Sequence, residues 1–518
     1  MFVLENLAGS LIPDWATYFL QSQLPPAQMV FTIILIATFG LIATERLHRT
    51  VAALGGAVAT LVAGGYFSYV YSWVPFFTYF ASLFYQLEIG LPFLTPVWQP
   101  LLFSFTDVYK EFIDWSTLLI IISIVIITSV ASRSGLFEYI IVKVLKFSGG
   151  NLKRLFIYIW ALTFVLTMFL GNNPTFIIVS VLVFQIARVL DLNPVPYILG
   201  TVFVTNAGSS STVISGFVNV LISGYYNLDP SRWLSYPTFI VLGLPIALIC
   251  MVISLFFIFR YYKDSFQIPK DKTDLLEMKS KLLSFDERIL VRNPKIFQRL
   301  VLLLAATVAG FIVAGFVGIP FYVVALVSAF GFLFVSGEDP ERTLREVNWG
   351  LVFFFIGIFI VVGGVDSTNV FVNLGNSLGS LTVANVPGTI SLVTLFSSLS
   401  SGALYNISVA TALLYVVPSL STSALINQNL VIWSLLYGAN IGSSLTPIGG
   451  TPNLLAITSL EKEGYHVTWR SFLKIGGPIT FLSLFAGIIL LIVFSQLLGW
   501  GVNYTDFVVS LIYRALRY

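Results

Sequence analysis

Apolar runs of about 17–25 residues can cross a bilayer as helices. Such runs predict spans at 28–45, 51–66, 115–132, 194–224, 232–259, 299–315, 318–336, 347–365, 428–457 and 470–499. Two pairs of shorter runs remain. The run 153–170 meets 175–190 at Gly171-Asn172-Asn173-Pro174, and 386–400 meets 407–418 at Ser401-Gly402-Ala403-Leu404-Tyr405-Asn406. Each pair is too short and too tightly joined at a polar tip to make two comfortable spans. The pairs are read as re-entrant hairpins, 153–190 and 386–418, with tips near mid-membrane; the alternative is two antiparallel spans with a surface turn. Runs such as Leu118–Val130 and Phe481–Phe494 are continuous, not alternating, which excludes a transmembrane β-barrel.

Two of the predicted spans carry the same polar cassette. Residues 206–221 read NAGSSSTVISGFVNVL and residues 440–455 read NIGSSLTPIGGTPNLL; nine of sixteen positions match without a gap at an offset of 234. The matches are Asn206/Asn440, Gly208/Gly442, Ser209/Ser443, Ser210/Ser444, Thr212/Thr446, Ile214/Ile448, Gly216/Gly450, Asn219/Asn453 and Leu221/Leu455. Small and polar residues clustered at this depth break a helix, and in lipid irregular backbone is tolerated only where protein encloses it. Paired breaks in corresponding halves point to a secondary transporter's binding site. The repeat extends outward: Asp114-Trp115 meets Asn348-Trp349, Phe137 meets Phe371 and Asn172 meets Asn406 at the same offset.

Charge gives the halves opposite orientations. Basic residues favour the cytoplasmic side of short loops. Arg46, Arg49, Arg133, Lys143, Lys146, Lys153, Arg154, Arg188, Arg342, Arg345, Lys462, Arg470 and Lys474, with ten Lys or Arg over 260–299, fall on one side if the N-terminus is outside. The other side is nearly bare: 366–385 and 419–427 have none, with Lys110, Arg232, Arg514 and Arg517 as exceptions. The first hairpin then enters from the cytoplasm and the second from outside, as an inverted repeat requires. The expected layout is an external segment 1–27, a first repeat 28–259, a cytoplasmic linker 260–298 with a short amphipathic helix around 273–284, a second repeat 299–499, and a surface segment 500–518. Within the first repeat, 67–112 reads as an external aromatic insertion. The fold class is all-α polytopic membrane protein, with about five transmembrane helices and one re-entrant hairpin per half and an unwound helix at mid-membrane in each.

Composition agrees. The 518 residues are 57% hydrophobic and 10% charged, against about 25% charged in soluble domains. A net charge of +3 gives no footprint for nucleic acid, and the single Cys250 supports neither a disulfide framework nor a thiolate metal site. The first 27 residues lack the basic n-region of a cleavable signal peptide. No catalytic dyad, metal set or phosphate loop is found in the sequence, so an enzyme is not expected and transport, if it occurs, is passive or ion-coupled.

Chemistry concentrates at the tips and cassettes. Pro removes a donor and Gly opens unusual backbone conformations, so Thr446-Pro447-Ile448-Gly449-Gly450-Thr451-Pro452-Asn453 should unwind its span midway. The break frees N–H groups at one half-helix start, which suits an anion, and carbonyls at the other half-helix end, which suits a cation. The first copy lacks both prolines and is expected to be softer. The candidate binding set is Asn206, Gly208, Ser209, Ser210 and Thr212 with Asn440, Gly442, Ser443, Ser444, Thr446 and Asn453, joined by the tip residues Asn172, Asn173, Thr175, Asn406 and Ser408. The stretches Asn206–Thr212 and Asn440–Thr446 are candidate Na⁺ sites; no other cofactor is expected. The tip register is ambiguous by one residue: Asn172 matches Asn406 at 234, whereas Asn173-x-Thr175 matches Asn406-x-Ser408 after a slip. No acidic residue lies in either tip or cassette, and Asp366 is the nearest intramembrane carboxylate.

The run Val347-Asn348-Trp349-Gly350-Leu351-Val352-Phe353-Phe354-Phe355-Ile356-Gly357 with Gly363-Gly364 resembles the ion transporter superfamily. That group includes arsenite-efflux permeases, the P protein, sodium/proton antiporters of the D type and divalent-anion/sodium symporters. Glu45-Arg46-Leu47-His48-Arg49-Thr50, Ser134-Gly135-Leu136-Phe137-Glu138-Tyr139 and Gly438-Ala439-Asn440-Ile441-Gly442 carry the same resemblance, closest to the arsenite-permease and P-protein branch. It implies ten spans plus two opposed hairpins, elevator-type motion and homodimers in the plasma membrane. It carries sodium and anion binding onto Asn172, Asn173, Asn406 and the two cassettes. Asn172 stands where arsenite-type and antiporter relatives often have Asp, and Ser215-Gly216-Phe217-Val218-Asn219 replaces their proline-containing cassette ending. The expected function is secondary transport of a small anion or oxyanion, arsenite- or carboxylate-like. A sodium/proton antiporter, or a transport-inactive or channel-like protein, is the alternative.

Overall fold

The computed structural model describes residues 14–44, 47–67, 108–135, 139, 152–226, 234–266, 294–337 and 339–500. Most of the aromatic insertion 67–112, the amphipathic helix expected at 273–284, the outermost N-terminal residues and the tail 501–518 lie outside them. Among the described residues the fold is all helix: α1 (Asp14–Thr44), α2 (Arg49–Phe67), α3 (Trp115–Arg133), α4 (Leu152–Leu170), α5 (Asn172–Val189), α6 (Val195–Gly208), α7 (Phe217–Tyr225), α8 (Tyr236–Tyr261), α9 (Pro294–Val317), α10 (Phe321–Ser336), α11 (Pro340–Glu346), α12 (Trp349–Asp366), α13 (Val370–Ser380), α14 (Val386–Ala403), α15 (Asn406–Leu414), α16 (Val417–Ala424), α17 (Gln428–Gly442), α18 (Thr451–Lys462) and α19 (Trp469–Leu497). Eight of these helices are long and apolar enough to cross a membrane, and α15 with α16 form a further bent pair at 58°.

Each of the ten predicted spans falls on helix among the described residues, with shifted edges. Both broken spans start within a residue of expectation, and the second runs on to Lys462. The second hairpin's return arm is α15 plus α16 and ends at Ala424, beyond the expected 418. Gly171 alone separates α4 from α5; its φ of 81° with ψ of 165° is a positive-φ extended conformation open essentially to glycine alone. The second tip turns instead through two extended residues, Leu404 and Tyr405. The arm α4 is by itself long and apolar enough to span, so arm length does not separate a re-entrant arm from a crossing helix. Helices α11 and α13 were not expected.

The described chain forms two compact units that cut across the sequence halves. One holds Met1–Ile113 with Phe353–Leu374; the other holds Asp114–Val352 with Gly375–Tyr518. The first unit is held by close backbone approach at small residues, the usual means of helix association in lipid. A side chain on Gly56 would meet Thr38, one on Gly357 would meet the Ala53 backbone, and one on Gly364 would meet Thr60 and Phe31. Gln28 Nε2 donates to the Thr368 carbonyl at 2.7 Å.

The second unit is organised around α6 and α17. Pro196–Gly208 in α6 and Asn429–Gly442 in α17 are buried without interruption. A helix apolar on all sides belongs in a core, and both helices carry glycines where neighbours press in. A Cβ at Gly200 would lie 2.2 Å from the Trp160 ring, and one at Gly438 2.5 Å from the Thr394 carbonyl. On α19, Gly487 makes room for Tyr437, whose hydroxyl donates to the Ser483 carbonyl at 2.5 Å. At the helix ends, Arg133 of α3 pairs with Glu346 of α11 at 2.8 Å and donates to Thr343 at 2.6 Å.

This packing separates two glycines of α19. A Cβ at Gly487 would lie 1.9 Å from a Tyr437 ring carbon, whereas one at Gly477 meets nothing within 4 Å. Gly487→Ala is expected to cost about 1–3 kcal/mol by overpacking. Gly477→Ala should be neutral or gain up to about 1 kcal/mol in helix propensity. Melting midpoints of the two purified variants check the contrast.

Candidate functional site

The site grows from two breaks with identical bounds. Helix α6 ends at Gly208 and α7 begins at Phe217; α17 ends at Gly442 and α18 begins at Thr451, each 234 residues later. Breaking a helix here strands buried carbonyls, and one asparagine per break pairs two of them. Asn219 Nδ2 donates to the carbonyls of Ser209 and Thr212, both at 2.6 Å. Asn453 Nδ2 donates to the carbonyls of Ser443 and Thr446, at 2.7 and 2.8 Å. The hydroxyls of Ser209 and Ser443 fold back onto the Asn206 and Asn440 carbonyls, both at 2.6 Å.

The breaks are also tied to each other. Asn206 Nδ2 donates to Asn453 Oδ1 at 2.9 Å, and Asn440 Nδ2 donates to Asn219 Oδ1 at 2.7 Å. Adding 234 to the first donor, and subtracting it from the first acceptor, gives the second bond. Such reciprocity, i to j and j to i, is what a two-fold relation produces. Each break in turn reaches a hairpin tip. Thr212 Oγ1 donates to the Met168 carbonyl at 2.7 Å and Thr446 Oγ1 to the Gly402 carbonyl at 2.5 Å, again 234 apart. Asn406 N donates to the Gly449 carbonyl at 3.3 Å, and Gly171 lies against the Ile214 carbonyl.

The first break does not need the missing prolines. The Ser215 hydroxyl lies 2.7 Å from the carbonyls of both Ser209 and Thr212 and accepts from Thr212 N at 3.0 Å. The position equivalent to Ser215 is Gly449, beside Pro447 and Pro452. One copy is thus stiffened by a hydroxyl and the other by prolines, and both keep the same bounds.

These bonds divide the predicted binding residues. Gly208 and Gly442 are packing positions, with Thr167 and the Ser398 backbone where a side chain would go. Ser209, Ser443, Thr212, Thr446 and Asn453 spend their donors inside the scaffold. The carbonyls of Ser210 and Ser444 pack against Gly243 and Gly476. Asn440 gives its amide to Asn219. Unsatisfied buried oxygens remain at Asn173 Oδ1, Thr175 Oγ1, Asn206 Oδ1, Ser210 Oγ and Ser408 Oγ. Asn172 and Asn406, also buried, open α5 and α15 and so place the tips at the 234 offset. The free hydroxyls of Thr175 and Ser408 instead match at the slipped register. Asn219 and Ser215 complete the site although neither stood in the predicted set; for Asn219 the available signal was its match to Asn453.

Four helices start here: α5 at the first tip, α15 at the second, α7 and α18 at the breaks. Their first turns present N–H groups and the positive end of the helix dipole. Among the described residues no Asp, Glu, His or Cys group of three or more is placed to hold a metal ion.

Asn453→Ala leaves two carbonyls and the Asn206 amide unpaired, with an expected cost of about 2–4 kcal/mol. A double-mutant cycle on Asn206→Ala and Asn453→Ala should return a coupling of about 0.5–3 kcal/mol, read from thermal melts. Additive losses would place the two side chains apart.

Comparison with known proteins bears on this architecture. The sequence matches the citrate transporter family over residues 39–438, stopping short of the second break. It is 24% identical over 458 residues to an uncharacterized transporter of Mycobacterium tuberculosis, covering 88% of this chain and 96% of that one. A 46 kDa membrane protein of Mycobacterium leprae is 23% identical over 460 residues, with the same coverage of each chain. The P protein of Homo sapiens is 22% identical over 561 residues, covering 94% of this chain but 62% of that protein, so the match leaves over a third of P protein unaligned. Among solved structures, the YdaH transporter of Alcanivorax borkumensis superposes with a TM-score of 0.52 at 14% identity, covering 85% of this chain and 99% of that one. MtrF of Neisseria gonorrhoeae, described as one of a class of antimetabolite efflux pumps, gives 0.51 at 11% identity, covering 74% and 82%. These two share the fold. With the match extending over most of its length, the chain belongs to the citrate transporter family of the ion transporter superfamily, a family of multi-pass membrane transporters.

Proposed function

We propose that this protein is a secondary transporter of a small anion or oxyanion, carboxylate- or arsenite-like, working by alternating access. The observation that carries the reading is the reciprocal asparagine exchange, Asn206 with Asn453 and Asn440 with Asn219, which joins the two breaks. Around it, four helix N-termini favour negative charge, and five unsatisfied oxygens offer a dehydrated cation or a ligand hydroxyl its partners. The family name, citrate transporter, supports a carboxylate. The neutral amides and hydroxyls, with no Arg or Lys in either tip or cassette, equally suit a weakly charged oxyanion.

In this proposal the coupling ion is Na⁺. Asn206 Oδ1 and Ser210 Oγ serve it at the first cassette, and Asn173 Oδ1, Thr175 Oγ1 and Ser408 Oγ complete the pocket from the tips. The carbonyls of Ser209, Thr212, Ser443 and Thr446 each already accept a bond from an asparagine amide. They contribute to a cation only through their second lone pair. The halves are inverted repeats, and the basic residues put the N-terminus outside and the 260–298 linker in the cytoplasm of a plasma-membrane protein. Elevator motion and a homodimer complete the scheme.

A thermal-shift screen of purified protein against citrate, succinate, arsenite, sulfate and silicate, with Na⁺ or K⁺, is the test. One anion should raise the melting midpoint more in Na⁺. Asn173→Ala and Ser408→Ala forfeit no internal hydrogen bond in the structure, and each is expected to weaken that ligand's apparent affinity roughly tenfold or more. Ligand shifts undiminished in both variants would remove the site. Saturable, trans-stimulated flux in proteoliposomes separates a carrier from a channel.

A further inference from the structure

The arm α14 carries buried hydroxyls that the proposed site does not use. Thr394, Ser398 and Ser401 are each 0% exposed, and none of their hydroxyl oxygens has a hydrogen-bond partner among the described residues. A buried serine or threonine in a helix normally donates back to the carbonyl a turn earlier. Its neighbours do so: Ser397 bonds the Val393 carbonyl at 2.7 Å, Thr411 that of Ile407 at 2.9 Å and Ser434 that of Leu430 at 2.7 Å. The three exceptions sit at i, i+4 and i+7, one face of the helix. Beyond the tip Ser408, and on the adjoining α19 Thr480, add two more buried hydroxyls without a partner.

Repeat symmetry does not demand this row. The equivalents of Thr394, Ser398 and Ser401 in α4 are Trp160, Phe164 and Thr167. Thr167 bonds the Thr163 carbonyl at 2.8 Å, and Thr163 bonds that of Ile159 at 2.7 Å. The first hairpin's arm is therefore aromatic and satisfied where the second is polar and unsatisfied. Each unpaired buried hydroxyl costs about 1–3 kcal/mol, and three in sequence would be a heavy cost in a dry interface.

We infer that the α14 face formed by Thr394, Ser398 and Ser401 binds a file of ordered water running from the second hairpin tip back along its first arm. The spacing fits. Side chains one turn apart lie about 5–6 Å from each other, and a water bridging two hydroxyls spans two O–H···O bonds of about 2.7–2.8 Å. A buried water needs two to four polar partners, and adjacent hydroxyls of the row supply two. The file stands independently of which ligand, if any, the chain transports.

The test is a cryo-EM map of the full-length protein in lipid nanodiscs at a resolution that shows ordered water. Density bridging the hydroxyls of Thr394, Ser398 and Ser401 is the expected result; a dry row with the hydroxyls turned back onto their own helix overturns the inference. Thermal melts give a second reading, with Ser397→Ala as the control because it loses an internal bond on the same helix. If water occupies the row, the Ser398→Ala/Ser401→Ala double variant melts below wild type by roughly 1–3 °C. If the row is dry and its hydroxyls stay unpaired, removing them lifts a desolvation cost, and a midpoint at or above wild type rejects the water file; the map separates water from hydroxyls turned back onto the helix.

Discussion

A helix broken inside an apolar environment must find partners for the backbone groups it releases, and that requirement shapes the core of this protein. Away from bulk water, each unpaired carbonyl is costly. Asn219 and Asn453 meet the demand with one amide per break, bridging the two carbonyls on the far side of the gap. An asparagine suits the task because its NH₂ group supplies two donors while its carbonyl stays free to accept. That spare acceptor receives the amide of Asn206 or Asn440 from the other half. The same side chains that stabilise each break therefore bind the breaks together.

This dual use explains which parts of the site were legible in the sequence. The length of apolar runs located the spans because bilayer thickness imposes it directly. The cassettes stood out because Gly, Ser, Thr and Asn at that depth have few other uses, and the repeated offset reinforced them. The division of labour inside the cassettes was hidden. Nothing in the string separates Asn206, with an oxygen to spare, from Asn453, whose donors and acceptor are all engaged. Both are matched asparagines, and only the direction of each amide distinguishes them. Ser215 was hidden for another reason: it does by hydrogen bonding what Pro447 and Pro452 do by covalent restraint, and a comparison that scores identity registers only that prolines are missing.

The hairpins show a similar limit. Tip positions followed from polar residues between apolar runs, and the starts of α5 at Asn172 and α15 at Asn406 keep the 234 offset. The turns themselves differ, one through a positive-φ glycine and the other through two extended residues. The ambiguity of one residue reflects this difference: the backbone obeys one register while the free hydroxyls of Thr175 and Ser408 obey the other. Arm length was a weaker guide, since α4 is apolar enough to cross a bilayer unaided.

Bonds that repeat at one offset give this protein a symmetric frame, and the departures from that symmetry show where the two halves differ. The exchange of asparagines, the helix-capping by Asp114 and Asn348 at Thr117 N and Leu351 N, and the threonine bonds to Met168 and Gly402 all repeat at one offset. These are the bonds that hold the frame. Beyond the Met168 and Gly402 carbonyls, the arms α4 and α14 diverge. One has filled its face with Trp160 and Phe164, the other with hydroxyls. Aromatic rings make the first arm rigid against α6, where Phe156 stacks on Tyr197 at 3.7 Å. Small hydroxyls leave the second arm able to exchange partners at little steric cost. A frame fixed by repeated bonds thus carries one arm packed with rings and one arm lined with hydroxyls.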